Sequence, residues 1–180
     1  MRMFAGFLVA ISFLCSAAHA ATFHVWPESP VDGPGTNWAT AFHVIQSAVD
    51  AAADGDVVLV TNGVYNTGGK AVFNTFTNRV AIDKAIAVQS VNGPEVTTIV
   101  GASRTLDTNF VIIESTAGRC AYVGSNAILV GFTLTDGGTR YIGGPGQEQG
   151  GGGVWSEPSG VVSNCILVHN YSPYGAGAWG

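Results

Sequence analysis

Charge is scarce in this chain. Of 180 residues only 11% are Asp, Glu, Lys or Arg, less than half of the roughly 25% usual in globular proteins. Disorder needs high net charge and low hydrophobicity, whereas 47% of these residues are hydrophobic, so an unfolded chain is excluded. Basic residues are the scarcest, seven Lys and Arg against twelve Asp and Glu for a net charge of −5. Nucleic-acid binding wants a basic stripe, and that class is set aside. Three cysteines make neither a disulfide framework nor a metal-ligand spacing. Beyond residue 20 no stretch reaches 18 apolar residues without a polar break, so the mature chain has no spanning helix. Glycine is plentiful at 25 residues, but no Gly-X-Y period runs through the chain, which excludes collagen. What remains is a compact, glycine-rich, weakly charged domain, long enough to bury one core.

The first twenty residues read as an export signal. Arg2 precedes an apolar run, Met3 to Leu14, and Ala18-His19-Ala20 forms a small-x-small site that predicts cleavage after Ala20. The run is too short to cross a bilayer core of ~30 Å. Bulky Phe13-Leu14 before Cys15 argues against lipidation there. Processing removes Arg2 and Cys15, takes the net charge from −5 to −6, and leaves Cys120 and Cys165. An exported protein could pair these two, or they could be small buried hydrophobes, since both sit among apolar neighbours. The expected location is extracellular or on the outer cell surface.

One helix and then only strands are predicted. In Trp38 to Ala53, residues Phe42, Ile45, Ala48, Val49 and Ala52 recur at helical spacing. Thr36 or Asn37 can cap its start, and Asp54-Gly55-Asp56 ends it. Short runs rich in Val and Ile follow: Val57–Val60, Val80–Ile82, Ala85–Gln89, Thr97–Val100, Phe110–Ile113, Ala127–Leu134 and Val161–Val168. Turn chemistry such as Asn62-Gly63, Asn92-Gly93 and Asp136-Gly137 bounds them. Near-continuous apolar runs suggest buried parallel strands.

An internal repeat chooses the architecture. Gly151-Gly152-Gly153-Val154-Trp155 returns 24 residues later as Gly175-Ala176-Gly177-Ala178-Trp179. Ala127 to Leu134 aligns with Gly160 to Leu167 at an offset of 33, and the excess over 24 is assigned to an outward loop within Thr139 to Gly150. A sandwich does not repeat in this way. The alignment stacks Phe132 on Cys165 and Leu134 on Leu167.

These elements give a resemblance its footing. Trp38-Ala39-Thr40-Ala41-Phe42, Gly55-Asp56-Val57-Val58 and Gly63-Val64-Tyr65, with Gln89 to Glu95 and Val130 to Leu134, resemble the opening of secreted right-handed parallel β-helix proteins of the pectin-lyase-like fold. The resemblance runs from about Thr22 to the end and implies an all-β fold, three parallel sheets wound into a right-handed parallel β-helix solenoid. The helix at about 38–53 would cap its N-terminal end. Residues 1–20 are then the signal peptide, 21–56 the N-terminal segment and cap, and 57–180 the repeating coils. The last element, Tyr174 to Gly180, opens a coil that it does not finish, so the chain is expected to be the N-terminal part of a longer protein.

The candidate chemistry is sparse. Polysaccharide lyases of this fold bind Ca²⁺ through clustered carboxylates and use a base, usually Arg, to take the proton α to a uronate carboxyl. The acids here stand singly, and no lyase residue carries over, so no cofactor is identified and Ca²⁺ enters only with the lyase reading. Neither the histidines nor the glycine runs at 143–146 and 150–153 fit a ligand or phosphate motif. Aromatics are the better signal, because a ring face can stack on a sugar. Tyr141, Arg140, Trp155 and Asp136 are therefore the carbohydrate-binding candidates, with packing between successive coils as the alternative for Trp155 and Trp179. Two functions stay open. One is a secreted or surface scaffold, adhesive or glycan-binding, with a polysaccharide or cell-surface glycan as partner. The other is the N-terminal part of a polysaccharide lyase or glycoside hydrolase whose active site lies beyond Gly180.

Overall fold

The computed structural model describes residues 20–102, 105–106, 112–113, 118–140 and 146–180. The expected export signal up to residue 19, Tyr141, and most of the segment around Phe110 lie outside them. The chain visits three sheets in rotation. Strand β1 (Thr22–Val25) opens sheet A, and a 3₁₀ turn (Trp38–Thr40) and helix α1 (Ile45–Ala51) follow. The next round places β2 (Val57–Val60) in sheet A, β3 (Gly63–Tyr65) in sheet B, and β4 (Lys70–Phe73) with β5 (Phe76–Ile82) in sheet C. A further round runs through β6 (Ala87–Ser90), β7 (Thr97–Val100), a short pair β8 (Thr105–Leu106) and β9 (Ile112–Ile113), then β10 (Gly118–Val123). Strands β11 (Ile128–Val130), β12 (Thr133–Thr135) and β13 (Val154–Ser156) repeat the order. So do β14 (Val161–Ser163), β15 (Ile166–Val168) and β16 (Ala178–Trp179).

Pairing between rounds is parallel throughout. Among the described residues β4 with β5 and β8 with β9 pair antiparallel, as do Ala102 and Gly118 in an isolated bridge. Val58, Val88 and Leu129 of sheet A, Ile99 and Leu134 of sheet B, and Val80 and Val123 of sheet C meet in one buried core. The repeat read from the sequence sets the register: Leu134 stands on Leu167, and Trp155 on Trp179. Phe132 is fully buried, and Cys165 at the matching position packs against the same core. The corner between sheets A and B turns through a left-handed residue, Gly131 at φ 85° and Asn164 at φ 47°, a conformation that Gly and Asn tolerate best.

Two expectations need correction. The first strand is β1, not Val57–Val60. And the helix expected over 38–53 is a 3₁₀ turn and a seven-residue helix with extended chain between them. Strand pairing overrides the helical spacing there. Phe42 N donates to His24 O at 2.9 Å, Trp26 N donates to Phe42 O at 2.9 Å, and Val44 is extended at φ −121°. Asn37 does act as a cap, its side chain accepting from Thr40 N at 3.1 Å.

Helix α1 closes the end of the core. Ile45, Ala48 and Val49 pack into it, and the polar ends are met by two side chains. Lys84 Nζ donates to the carbonyls of Val49, Asp50 and Ala52, groups a helix C-terminus leaves unpaired and a cation favours. Gln46 does for sheet C what a neighbouring strand would do. Its Oε1 accepts from Ala81 N at 2.7 Å and its Nε2 donates to Ala81 O at 3.3 Å, while β4 covers the earlier part of β5. Gln46→Ala leaves both Ala81 groups unmet, at about 1–3 kcal/mol per buried group. We expect its urea midpoint to fall with an unchanged slope; an unchanged midpoint would mean that water replaces the amide.

Candidate functional site

The connections between sheets are unequal, and the inequality locates the site. The turn from sheet C to sheet A is four residues long each time, at 83–86, 124–127 and 157–160. The turn from A to B is two residues at 61–62, 131–132 and 164–165, and six at 91–96. From B to the parallel strands of C the chain takes 10, 17, 18 and 9 residues, at 66–75 with β4 inside it, 101–117, 136–153 and 169–177. Every long excursion thus leaves by one corner, and loops carried on a rigid scaffold are where binding residues concentrate.

Arg119 on β10 organises that corner. It is fully buried. Its Nε donates to Gly151 O at 2.8 Å, Nη1 to Asn78 Oδ1 at 2.7 Å, and Nη2 to Gly150 O at 2.7 Å and to Gln147 O. The guanidinium also lies 5.0 Å from the Phe76 ring centre and 5.6 Å from that of Trp155, within cation–π range. Burial pulls its pKa down to about 9, opposed by Cys120, Tyr122 and Glu148, so it stays charged at neutral pH. It ties the glycine run to sheet C, and the run needs its glycines: Gly151 is at φ 63°, and a Cβ on Gly152 would stand 2.3 Å from Tyr171 O.

Beside it, Glu148 is buried at 1% exposure. Its Oε1 accepts from Asn74 Nδ2 at 2.8 Å, and its Oε2 lies 3.3 Å from Arg140 Nε. Arg140 Nη2 donates to Thr75 Oγ1 at 2.9 Å. The loop before β13 is thereby latched to the tip of the β4–β5 hairpin.

The outer face of sheet C carries an aromatic ladder. Tyr122, Trp155 and Trp179 are successive register partners, about 4.8 Å apart from strand to strand. Phe73 packs edge-on against Tyr122 and Trp155, at 5.5 and 6.1 Å between ring centres. Glu157 Oε1 accepts from Tyr122 Oη at 3.3 Å and from Trp155 Nε1 at 3.2 Å. Burial first, and then Glu157, push the Tyr122 phenol up to about 12, so it remains a donor. Phe73 leaves Tyr122 8% exposed, whereas Trp179 is 46% and Tyr174, tilted against it at 5.9 Å, is 51% exposed.

Of the four sequence candidates, Trp155 is in this ladder, half-buried between Phe73, Arg119 and Glu157. Arg140 and Asp136 are held apart from it: Arg140 by Glu148, while Asp136, exposed at φ 54°, accepts from Thr135 Oγ1. Tyr141 lies outside the described residues. The structure adds Tyr122, Phe73, Glu157, Glu148 and Arg119, and the open rings are Trp179 and Tyr174. Tyr122 was within reach of sequence reasoning, since the 33-residue offset lays Ala121-Tyr122-Val123 over Val154-Trp155-Ser156.

Among the described residues no three His, Cys, Asp or Glu side chains gather for a metal. His24 Nδ1 is paired with Gly35 O and His43 Nε2 with Ser29. Cys120 and Cys165 are both free thiols. Burial raises both pKa values, that of Cys120 to about 12, so neither is a thiolate nucleophile at neutral pH. A hollow of about 780 Å³ is walled by apolar Val154, Val162, Leu167 and Trp179 and by polar Glu157 and Asn164, among others. No described helix is long and apolar enough to cross a membrane.

No protein-family model and no curated protein matches the chain. Among solved structures it is similar to a rhamnogalacturonan lyase, with 14% identity over 89% of this chain and a TM-score of 0.44. This chain spans 63% of the length of that lyase chain.

The Arg119 site yields a direct test. Arg119→Met leaves Asn78 Oδ1 and two or more buried carbonyls without donors, and we expect a loss of about 3 kcal/mol or more. Arg119→Lys should rescue little of it, because an ammonium cannot reproduce the planar fork. Denaturation followed by tryptophan fluorescence decides; full rescue by Lys would show that charge alone matters.

Proposed function

We propose that this chain is a secreted scaffold, a right-handed parallel β-helix, that binds glycan along the outer face of sheet C. The observation that carries the reading is the register-aligned ladder Tyr122–Trp155–Trp179, set beside the corner from which all the long loops leave. A pyranose ring offers an apolar face to such rings, and Glu157 supplies an acceptor for sugar hydroxyls at their edge. The strand rotation A, B, C and the parallel register support the solenoid. Residues 1–20 are read as its leader.

Among the described residues, charge favours an uncharged glycan as the ligand. Each basic side chain among the described residues is already engaged. Lys70 holds Asp50 and Asp83, and Lys84 holds the helix carbonyls. Arg79 donates to the carbonyls of Val100, Gly68 and Gly101, while Arg119 and Arg140 are spent in the corner. A uronate polymer would meet a negatively charged protein and, in these residues, no cation to receive it. The enzyme alternative places its catalytic groups elsewhere in a longer protein, and no observation on these residues favours it.

Affinity electrophoresis in gels containing neutral galactan, xylan or glucan, against polygalacturonate, tests the reading. Retardation by a neutral polymer, lost about tenfold in Trp179→Ala, as expected for about 1.4 kcal/mol from one stacked ring, is the expected result. Retardation by polygalacturonate alone would overturn the neutral assignment, and retardation by none would overturn glycan binding on this face. Release of unsaturated uronates by the secreted protein in Ca²⁺ would favour the enzyme.

A further inference from the structure

We infer that cleavage after Ala20 creates the α-ammonium of Ala21 as an ion-pair partner for Asp56, so that processing itself locks the first strand onto the capped end of the core. The inference rests on the export reading proposed above for residues 1–20.

The receptor for the new terminus is in place. Ala21 N donates to Asp56 Oδ1 at 2.7 Å, and Ala53 N donates to Oδ2 of the same carboxylate at 2.8 Å. Ala21 O accepts from Val57 N at 2.9 Å, so the residue is fixed on both sides. Asp56 is 8% exposed, while Ala20 and Ala21 are exposed. The two amides, Ala53 first and then Ala21, hold the Asp56 carboxyl below its ordinary value, so it is ionised at neutral pH.

In the unprocessed chain the nitrogen of Ala21 is an amide with one hydrogen and no charge. Hydrolysis changes that: water adds its hydroxyl to the carbonyl carbon of Ala20, the C–N bond breaks, and the amine leaving on Ala21 takes up a proton. A cation with three donors then stands where a neutral donor stood, and the bond to the Asp56 carboxylate gains the attraction of a full ion pair. The other charges here are Lys84, which faces the carboxylate but has three carbonyls of its own, and Asp54, which accepts from Ala85 N. Beyond them Asp50 and Asp83 are neutralised by Lys70. The strand that gains is β1, the outermost strand of sheet A with β2 as its one strand neighbour there.

The experiment compares the secreted protein with two variants of its N-terminus. Mass spectrometry first identifies the mature end. The chain beginning at Ala21 with a free amine is then compared, by chemical denaturation at pH 6.5, with the same chain acetylated at Ala21 and with one carrying Ala20 in front. We expect the free-amine form to have a folding equilibrium constant about tenfold larger, the equivalent of one pKa unit on the amine. The sign with pH follows: a cation gaining a partner has its folded pKa raised, so the gain is full below the ordinary α-amine range. It is lost as pH rises through the raised value. The gain also vanishes in Asp56→Asn; if that variant does not fold, the acetylated chain decides alone. Equal stability of free and acetylated forms, with Ala21 as the mature end, would overturn the lock and leave the export reading intact. A mature end at another residue would overturn both the cleavage site and the lock.

Discussion

Backbone hydrogen bonds between successive rounds hold the parallel strands of the three sheets, and no round could fold without them. A round of about two dozen residues orders its backbone at ~1–2 kcal/mol per residue. The handful of apolar side chains it buries return ~1.5–3 kcal/mol each. Stacking makes up the difference, because each new round adds a ladder and completes the core of the one before. The same dependence makes the first edge the critical place, since a sheet edge there offers unpaired groups. Sheet C solves this with β4 and the Gln46 amide. The helix that presents Gln46 also buries Ile45 and Val49, so one short element closes both the polar and the apolar openings.

Arg119 is a second dependence, local to the corner where the long connections leave. A buried guanidinium is costly unless its donors are used, and here its nitrogens reach Asn78 and three carbonyls. Those carbonyls belong to a loop with little side-chain bulk of its own. Gly151 and Gly152 approach neighbouring backbone too closely for a Cβ, so the run cannot be held by packing and is held by hydrogen bonds instead. The same side chain lies under Trp155. The position of the ladder's central ring is therefore coupled to the path of the loop.

Repetition made most of this architecture legible from the sequence. The offsets of 24 and 33 residues are the register offsets of the strands themselves, so the stacks of Leu134 on Leu167 and Trp155 on Trp179 could be written down before any coordinates. What does not repeat was not legible. Strand β1 has no copy of the Gly-Asp-x-Val element that marks β2. The hairpin β4–β5 lies in a connection of arbitrary length. Phe42 and Val44 fit a helical face, and only the strand at Thr22–Val25 shows why they are extended. The site fared worse for a related reason. Arg140 and Asp136 are near in sequence, but the partner of Arg140 is Glu148, across a loop. Glu157 and Phe73 join the ladder through folds of the chain that no local spacing encodes.

The unequal corners bear on what such a fold can do. A turn that is always four residues long is fixed by the geometry of joining sheet C to sheet A, and it leaves little freedom for specificity. The corner from B to C carries connections of 9 to 18 residues on the same framework, so length there is not set by the framework and is available for other uses. Sheet C begins where those connections end. A ladder of rings on its outer face is thus bordered by the one region that can vary without disturbing the core. The described cations are tied to carbonyls and carboxylates that hold the scaffold together, and they cannot also serve an anionic ligand without loosening it. Aromatic faces carry no such conflict, since a ring packed on one side by Gly150 or Phe73 can still offer its remaining surface to a sugar.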